Sequence, residues 1–317
     1  MVKYIGKRIL VIIPTFIGIT ILAYFLSVLA PGDPLDLIIG TKQIDQMDLE
    51  RIRKQYGLDQ PVVIQYLNWF KMMLQGNMGI SYRTSEKVWD MIMVRIGPTL
   101  LITLSSLVLS VALAIPMGVA AAVKPYSLWD YIASGLSFLA AAAPNFFVSL
   151  ILVYIFGVRL KVLPTSGMYT TASHRTIQDL LLHMILPVLV LAFQQIGNFI
   201  RQVRGSMLEV LQEDYIRTAR EKGLLEKRVI LRHGLRNAMI PVVTTIGIHF
   251  PFLVGGAVVT EQIFGWPGIG TLMVQSINAR DYPCIMGITV IIAVVVLVGN
   301  LLTDLVYGIL DPRISYK

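Results

Sequence analysis

Apolar residues run along the chain in nearly uninterrupted blocks, and charged residues are concentrated between these blocks. A bilayer core of about 30 Å needs about 20 helical residues, because an α-helix rises about 1.5 Å per residue. Six blocks meet this requirement. We therefore predict membrane-spanning helices at Ile9–Ala30, Pro98–Val123, Tyr131–Gly157, Leu181–Ile200, Ala238–Gln262 and Cys284–Val306.

The composition indicates an all-α integral membrane protein. Hydrophobic residues make up 55% of the 317 positions and charged residues only 15%, whereas a soluble domain carries about 25% charged residues. The net charge is +8, but the basic residues lie between the apolar blocks, where they fix membrane orientation. We therefore expect a lipid bilayer around the chain and no nucleic-acid partner.

The first apolar block follows Lys3, Lys7 and Arg8, as the hydrophobic region of a signal peptide would. That region is about 7–15 residues long in signal peptides, and Ile9–Ala30 is longer. We expect a retained membrane helix.

The distribution of Lys and Arg predicts that both termini lie in the cytoplasm. The connection Arg201–Arg236 is rich in basic residues, which favour the cytoplasmic side, and the short connections on the opposite side have few. The prediction divides the chain into residues 1–30 (tail and first span), 31–97 (an extracytoplasmic segment) and 98–317 (a five-span core). The cytoplasmic loop of the core covers residues 201–237.

The extracytoplasmic segment contains signals for two short helices. Asp45–Tyr56 has the pattern of a charged amphipathic helix, and Gly57 would close it. A second helix would begin near Pro61 and end before Gly76, since proline favours a first turn and glycine follows a last turn. We expect a small external helical segment.

Motifs for enzymatic chemistry are absent from the sequence. No GxxxxGK[ST] motif is present, so the chain cannot cradle nucleotide phosphates in the usual way. The glycine-rich stretch Gly265–Gly270 lacks the lysine of that motif and is interpreted as a turn between spans. Cys284 is the only cysteine, which excludes an intrachain disulfide and a cysteine-rich zinc site. We expect neither an enzyme nor a cofactor or metal in this chain.

Few ionisable residues lie inside the predicted spans. His249 is near the middle of the fifth, and such a residue is a functional candidate by default. No acidic partner is evident at its depth, so we expect a structural or cavity-lining role rather than a proton relay. Gln194, Gln195 and Asn198 are more typical of hydrogen bonds between helices than of a substrate site. A stand-alone proton-coupled transporter is the alternative from another class.

The loop 201–237 is the most informative segment. Met207–Lys222 places Leu208, Leu211, Tyr215 and Ala219 at helical spacing, Gly223 would end this helix, and Leu225–Asn237 would form a basic second helix. A helix–glycine–helix pattern with charges of both signs favours a surface for docking a protein. A loop lying along the lipid headgroups is the other interpretation.

The residues of this loop resemble the EAA loop of ABC-importer permeases, in the form found in dipeptide and oligopeptide permeases. The resemblance rests on Asp214–Gly223 and Arg232–Pro241. Arg217, Thr218 and Ala219 occupy the EAA positions and Gly223 the glycine position, while His233–Arg236 replaces the usual I-x-L-P. Further strings occur in the order of this branch: Ala30–Pro34, Tyr56–Pro61, Gln65–Trp69, Gly76–Ser81, Leu163–Met168, Phe264–Gly270, Arg280–Pro283 and Asp311–Ile314.

The resemblance implies a type I ABC importer permease fold in a bacterial or archaeal cell membrane. It implies a second homologous permease subunit, two cytoplasmic ATPase subunits that bind ATP and Mg²⁺, and an extracytoplasmic substrate-binding protein. The substrate would be a peptide, with nickel chelates or glutathione as the alternative within the same family. The residues expected to contact an ATPase are Glu213, Asp214, Tyr215, Arg217, Ala219, Arg220 and Gly223.

Overall fold

The computed structural model of the chain is helical and describes residues 2–29, 46–55, 57–171 and 175–310. Its α-helices are α1 Val2–Leu29, α2 Gln46–Gln55, α3 Val62–Leu74, α4 Val88–Val123, α5 Leu128–Ala142, α6 Asn145–Leu152, α7 Ile177–Leu211, α8 Asp214–Glu221, α9 Glu226–Arg228, α10 Arg236–Ile263, α11 Ile269–Asn278 and α12 Tyr282–Leu310. Two π-helical stretches, Val153–Arg159 and Val229–Leu235, continue α6 and α9.

Among the described residues, four helical segments are long and apolar enough to cross a bilayer. They are Leu10–Leu29, Val88–Val123, Ile177–Leu211 and Tyr282–Thr303, and each overlaps a predicted span. The helix of the second predicted span begins at Val88 rather than at Pro98. The predicted span Ala238–Gln262 lies inside α10 but is not among these four segments. The count of six spans therefore stays a prediction.

The predicted span Tyr131–Gly157 is not one continuous helix. The chain bends by 105° between α5 and the helix formed by α6 with its π-helical continuation. Pro144 causes the break, because proline has no N–H for the helix and disfavours helical backbone in the residue before it. Ala143 is extended, with φ −83° and ψ 119°. The prediction of one continuous helix here was wrong, and the pair counts as a fifth span only if the bent helices cross together.

The two short helices predicted within residues 31–97 are present. Helix α2 lies inside the predicted range, whose ends Asp45 and Tyr56 are outside the described residues, and Gly57 follows it with φ +66°. Helix α3 begins directly after Pro61, and Gly76 beyond its end has φ +80°. Left-handed backbone favours glycine, which explains why Gly57 and Gly76 follow the ends of these two helices. Helix α11 was not predicted.

The described residues form two compact units. One comes from Met1–Thr99 and Pro267–Val298, and its core contains the fully buried Val88, Ile92 and Ile288. A Cβ on Gly287 would lie 2.5 Å from Cγ1 of Val88. The absence of a side chain at residue 287 therefore lets α12 approach α4 closely.

A buried carboxylate anchors the turn after α3 within this same unit. Asp281, which is fully buried, accepts a hydrogen bond from the Ser81 hydroxyl and another from the backbone N–H of Tyr82, at 3.0 Å. Two strings from the sequence resemblance, Gly76–Ser81 and Arg280–Pro283, are thereby brought together. Their joint role in this fold is to pin the turn to the start of α12.

The other unit comes from Leu100–Trp266 and Gly299–Lys317, and α7 is its central helix. A Cβ on Gly197 of α7 would lie 2.7 Å from Cβ of Ala140 and 3.0 Å from the carbonyl oxygen of Ser137, both in α5. On α4, a Cβ at Gly118 would lie 2.7 Å from Cβ of Val203. Small residues that permit such approach are typical of helix contacts inside membranes.

An ion pair joins α5 and α7 near the end of the close contact. Nε of Arg204 lies 2.6 Å from Oδ1 of Asp130, and Nη2 lies 2.9 Å from Oδ2. The Asp130 side chain is 7% exposed, and it also accepts a hydrogen bond from the backbone N–H of Tyr126 at 2.9 Å. A bidentate guanidinium–carboxylate pair fixes orientation as well as distance. It therefore holds the rotation of α5 against α7.

The division into residues 1–30, 31–97 and 98–317 stays a prediction, as does the side of the membrane on which each segment lies.

We predict that Gly197→Ala destabilises the protein whereas Gly205→Ala does not. The added methyl at residue 197 meets α5, and overpacking of this kind typically costs about 1–3 kcal/mol. At residue 205, on the same helix, an added Cβ meets nothing within 4 Å. Both changes gain the same helix propensity, so the difference between the two melting temperatures in detergent isolates the packing term. Equal melting temperatures would contradict the close contact.

Candidate functional site

The segment after α7 folds back on itself. We predicted one helix over Met207–Lys222, but α7 ends at Leu211 and α8 begins at Asp214, so this prediction was wrong. Glu213 between them is extended, with φ −69° and ψ 146°. The physical reason is apolar burial, because a straight helix would carry Ile216 away from its partners, whereas the folded-back helix buries it completely.

Helix α8 rests on an apolar cluster of this same chain. Ile216 and Val229 are fully buried and Ala219 is 7% exposed, with Leu211 and Leu224 packed around them. Tyr215 was predicted on this face but lies outside the cluster, is 42% exposed and receives a hydrogen bond from Nδ2 of Asn237. The apolar positions of the short helix are thus Ile216 and Ala219, and Ile216 was missed because the predicted stripe continued from α7.

Gly223 ends α8 in the left-handed conformation, with φ +75°. Its N–H donates to the carbonyl of Arg220 at 2.9 Å. A Cβ added at this position would meet nothing within 4 Å. Within the chain, glycine is therefore favoured here by backbone geometry rather than by crowding.

The remaining face of α8 is exposed and carries charges of both signs. Arg220 forms a bidentate pair with Glu226, with Nη2 2.8 Å from Oε1 and Nε 3.2 Å from Oε2. This hydrogen-bonded pair holds the pKa of Glu226 below its usual value and raises the pKa of Arg220. Arg217 pairs with Glu221 at 3.2 Å along the helix. The first pair ties the end of α8 to the beginning of α9, across Gly223.

The predicted contact residues therefore divide into two groups. Ala219 is turned into the chain's own cluster, so its side chain supports α8 from behind. The other predicted positions are exposed: Glu213, Asp214, Tyr215, Arg217, Arg220 and Gly223. An exposed, charged and rigidly seated helix is suited to docking against another protein.

The polar residues of α7 also divide. Gln195 bridges to α4, where its Nε2 is 3.3 Å from Oγ of Ser106 and its Oε1 is 3.4 Å from Oγ of Ser110, which confirms a hydrogen bond between helices. Gln194 is exposed, and its Oε1 accepts from Nδ2 of Asn145 at 2.8 Å.

The side chain of His249 lies outside the described residues, as do the strings Ala30–Pro34 and Asp311–Ile314.

The unit that contains α1 and α3 holds a cavity of about 1130 Å³. Aromatic rings and side-chain amides line it, among them Trp69, Trp89, Gln65, Asn68 and Tyr282. Apolar walls with a few polar groups are typical of ligand clefts. The sequence carried no signal for this cavity, because its walls come from segments that are far apart in the chain.

The fold and the matches with known proteins together define the class. The chain has a TM-score of 0.54 to a structure titled "Inward facing conformations of the MetNI methionine ABC transporter", covering 70% of this chain and 97% of that one at 14% identity. Residues 114–316 match the family described as binding-protein-dependent transport system inner membrane component, and residues 1–103 match the N-terminal part of that component. The fold is thus the type I ABC importer permease fold, in an all-α, multi-pass membrane protein.

The chain belongs to this family of inner-membrane transport components. It is 47% identical over 317 residues, 100% of both chains, to the oligopeptide transport system permease protein AppB of Bacillus subtilis. It is 38% identical over 338 residues to the dipeptide transport system permease protein DppB of Escherichia coli K12, again over 100% of both chains. Glutathione transport system permease protein GsiC of Salmonella choleraesuis is 39% identical over 317 residues and 100% of both chains.

We predict that Ala219→Leu loosens α8 from its seat, whereas Thr218→Leu on the exposed side of the same helix does not. Extra methyl groups beside Ile216 and Val229 cost about 1–3 kcal/mol, and about 1.4 kcal/mol is a tenfold change in population. Trypsin cleavage in detergent at the exposed Arg217 and Lys222 should therefore become about tenfold faster in Ala219→Leu. Cleavage at an unchanged rate would show that the apolar seat does not hold the helix.

Proposed function

We propose that this chain is the permease subunit of an ATP-driven importer that carries peptides across the cell membrane. The supporting observation is full-length similarity to relatives named for oligopeptide and dipeptide transport. The sequence has no phosphate-binding motif of its own, so ATP and Mg²⁺ would bind in two cytoplasmic ATPase subunits. A second homologous permease would complete the membrane pathway, and an extracytoplasmic binding protein would deliver the peptide.

We propose further that α8 is the element that couples the permease to its ATPase. Its exposed face would sit on the ATPase surface, with Glu213, Asp214, Tyr215, Arg217 and Arg220 fixing register and Gly223 at the rim. Its buried face and the Arg220–Glu226 pair fasten it to α7 and α9. A push on a fastened helix moves the helices behind it, whereas a push on a loose loop is dissipated in the loop itself. Closure of the ATPases would thereby reach the membrane helices.

A second candidate substrate is glutathione, because one full-length relative carries that name. Glutathione is itself a tripeptide whose first linkage is made through the γ-carboxyl. A competition assay, in which glutathione and an ordinary tripeptide compete for uptake, shows which of the two the importer prefers. No feature of the described residues favours nickel chelates.

The test of the proposed function is reconstitution. The tagged chain is purified with the subunits that accompany it, placed in liposomes with its binding protein, and supplied with radiolabelled trialanine. We expect uptake that requires ATP. Uptake that follows an imposed proton gradient without ATP, or by the chain alone, would instead support a secondary transporter and overturn the proposal.

The proposed orientation of the chain in the membrane can be tested by cysteine labelling. With both termini cytoplasmic and residues 31–97 outside, a cysteine in place of Asp59 should react with a membrane-impermeant maleimide added to intact cells. A cysteine in place of Gln212 should react only after the cells are opened. Both positions are exposed, and the native Cys284 is buried. Labelling of both positions from the same side would contradict the proposed topology.

We predict that Gly223→Asp uncouples the importer, whereas Gly76→Asp does not. Each glycine has positive φ and open space where a Cβ would be added, so both changes carry a similar backbone cost, about 1–2 kcal/mol. Only residue 223 would meet an ATPase, where overpacking adds about 1–3 kcal/mol and weakens association roughly tenfold or more. The measurements are copurification of the ATPases and ATP-driven uptake of trialanine. Full uptake by Gly223→Asp with its ATPases bound would exclude α8 as the coupling element.

A further inference from the structure

The side chain of Gln194 is exposed at the middle of a membrane-spanning helix. It lies midway between Ile177 and Leu211, the two ends of α7. A helix of 35 residues extends about 52 Å, so its centre falls within a hydrocarbon layer of about 30 Å. The N–H groups of a carboxamide facing lipid there would have no hydrogen-bonding partner in the lipid, which is strongly unfavourable. This face of α7 must therefore meet water or protein.

The break between α5 and α6 lies beside Gln194 and points to the same conclusion. Ala142 and Pro144 at the break are exposed, and Ala143 is extended. Irregular backbone at membrane depth is tolerated only where it is buried in protein or lines a water-filled cavity. The hydrogen bond of 2.8 Å from Asn145 to Gln194 joins the two features into one surface.

The free atoms of this pair have a specific chemistry. The hydrogen bond uses one N–H of Asn145 and the oxygen of Gln194. This leaves the Nε2 donors of Gln194 and the Oδ1 acceptor of Asn145 without a partner among the described residues. Exchanging oxygen and nitrogen in both amides again leaves free N–H donors on one side chain and a free acceptor oxygen on the other. A peptide bond presents the complementary acceptor and donor.

We propose that Asn145 and Gln194 line the translocation pathway and hydrogen-bond the backbone of the passing peptide. This inference rests on the proposed function and names the groups that its substrate would meet. Carboxamides recognise the peptide bond, which every peptide shares, and carry no charge that would retain one class of side chain. The pair would thus give the backbone amides of a passing peptide a hydrogen-bonding partner without selecting a sequence.

The direction of the polar face supports a pathway over a subunit contact. Asn198 and Arg201 follow Gln194 on the same side of α7 toward the end that carries α8. Arg201 donates to the carbonyl of Ser137 at 2.9 Å and to Oδ1 of Asn198, so its charge is held in place along this line. A continuous polar line from mid-helix to one end is what a hydrated route requires.

The test compares trialanine with its depsipeptide, in which one backbone N–H is replaced by an ester oxygen. In the reconstituted importer, the variants are Asn145→Leu and Gln194→Leu, and Gln178→Leu at the exposed start of α7 is the matched control. We expect that at least one of the two variants lowers the preference for trialanine over the depsipeptide, measured as a ratio of kcat/KM, by about two- to tenfold relative to the native protein. Gln178→Leu should keep the native preference. Because the binding protein is the same in every assay, its own selectivity cancels.

Accessibility provides the second measurement, which holds even if a leucine variant assembles poorly. A cysteine in place of Gln194 should react with a hydrophilic maleimide in the assembled importer, and trialanine should slow the reaction. An unreactive cysteine, or one that crosslinks to the second permease, would mark a subunit contact and overturn the inference. If both leucine variants kept the native preference for trialanine over the depsipeptide, the inference would be overturned and the proposed function would be unaffected. Absence of trialanine uptake by the native importer would instead overturn the proposed function itself.

Discussion

Inside a bilayer, apolar side chains gain little by leaving lipid for one another, so helices are held together by close packing and by paired polar groups. This constraint is visible around α7. Gly197 lets the backbone of α5 approach, and Val203 fills the space left by Gly118 on α4. The pair between Asp130 and Arg204 then fixes how α5 is rotated. Contacts of this kind are short and directional, so they allow a few discrete arrangements of the helices rather than a continuous range.

The seat of α8 follows a different rule, because it lies beyond the apolar part of α7. Burial of Ile216 and Val229 fastens it as in a soluble protein, and the exposed pair between Arg220 and Glu226 adds direction. An exposed ion pair contributes at most about 1 kcal/mol, so the apolar cluster provides most of the attachment. The helix can therefore present a charged face to a partner without relying on those charges for its own position.

The sequence predicted those parts of the fold that depend on local signals. Gly57, Pro61 and Gly76 marked the limits of α2 and α3, because backbone conformation at such positions is a property of the residue itself. A helix before Gly223 was predicted, but the break at residues 212–213 was missed, because the spacing of apolar residues continued across it. The bend at Pro144 was missed for another reason: membrane helices tolerate proline, so the presence of Pro144 in an apolar run does not by itself predict a break. Long-range pairs such as Asp130 with Arg204 have no local signal. The sequence predicted that Gln195 forms a hydrogen bond between helices, although it did not identify the partner residues. It did not predict that Gln194 is exposed.

The anchor between Ser81 and Asp281 has a consequence for the order of events during synthesis. These residues lie 200 positions apart, and ribosomes add roughly 5–20 residues per second. The turn after α3 is therefore made roughly 10 to 40 s before the carboxylate that will hold it exists. Val88 and Ile92 are likewise synthesised about as long before Ile288, the residue they pack against. Until α12 enters the membrane, the core around Val88 and Ile92 lacks the residues that α12 contributes. During this interval, the quality-control proteins of the cell can recognise the incomplete core.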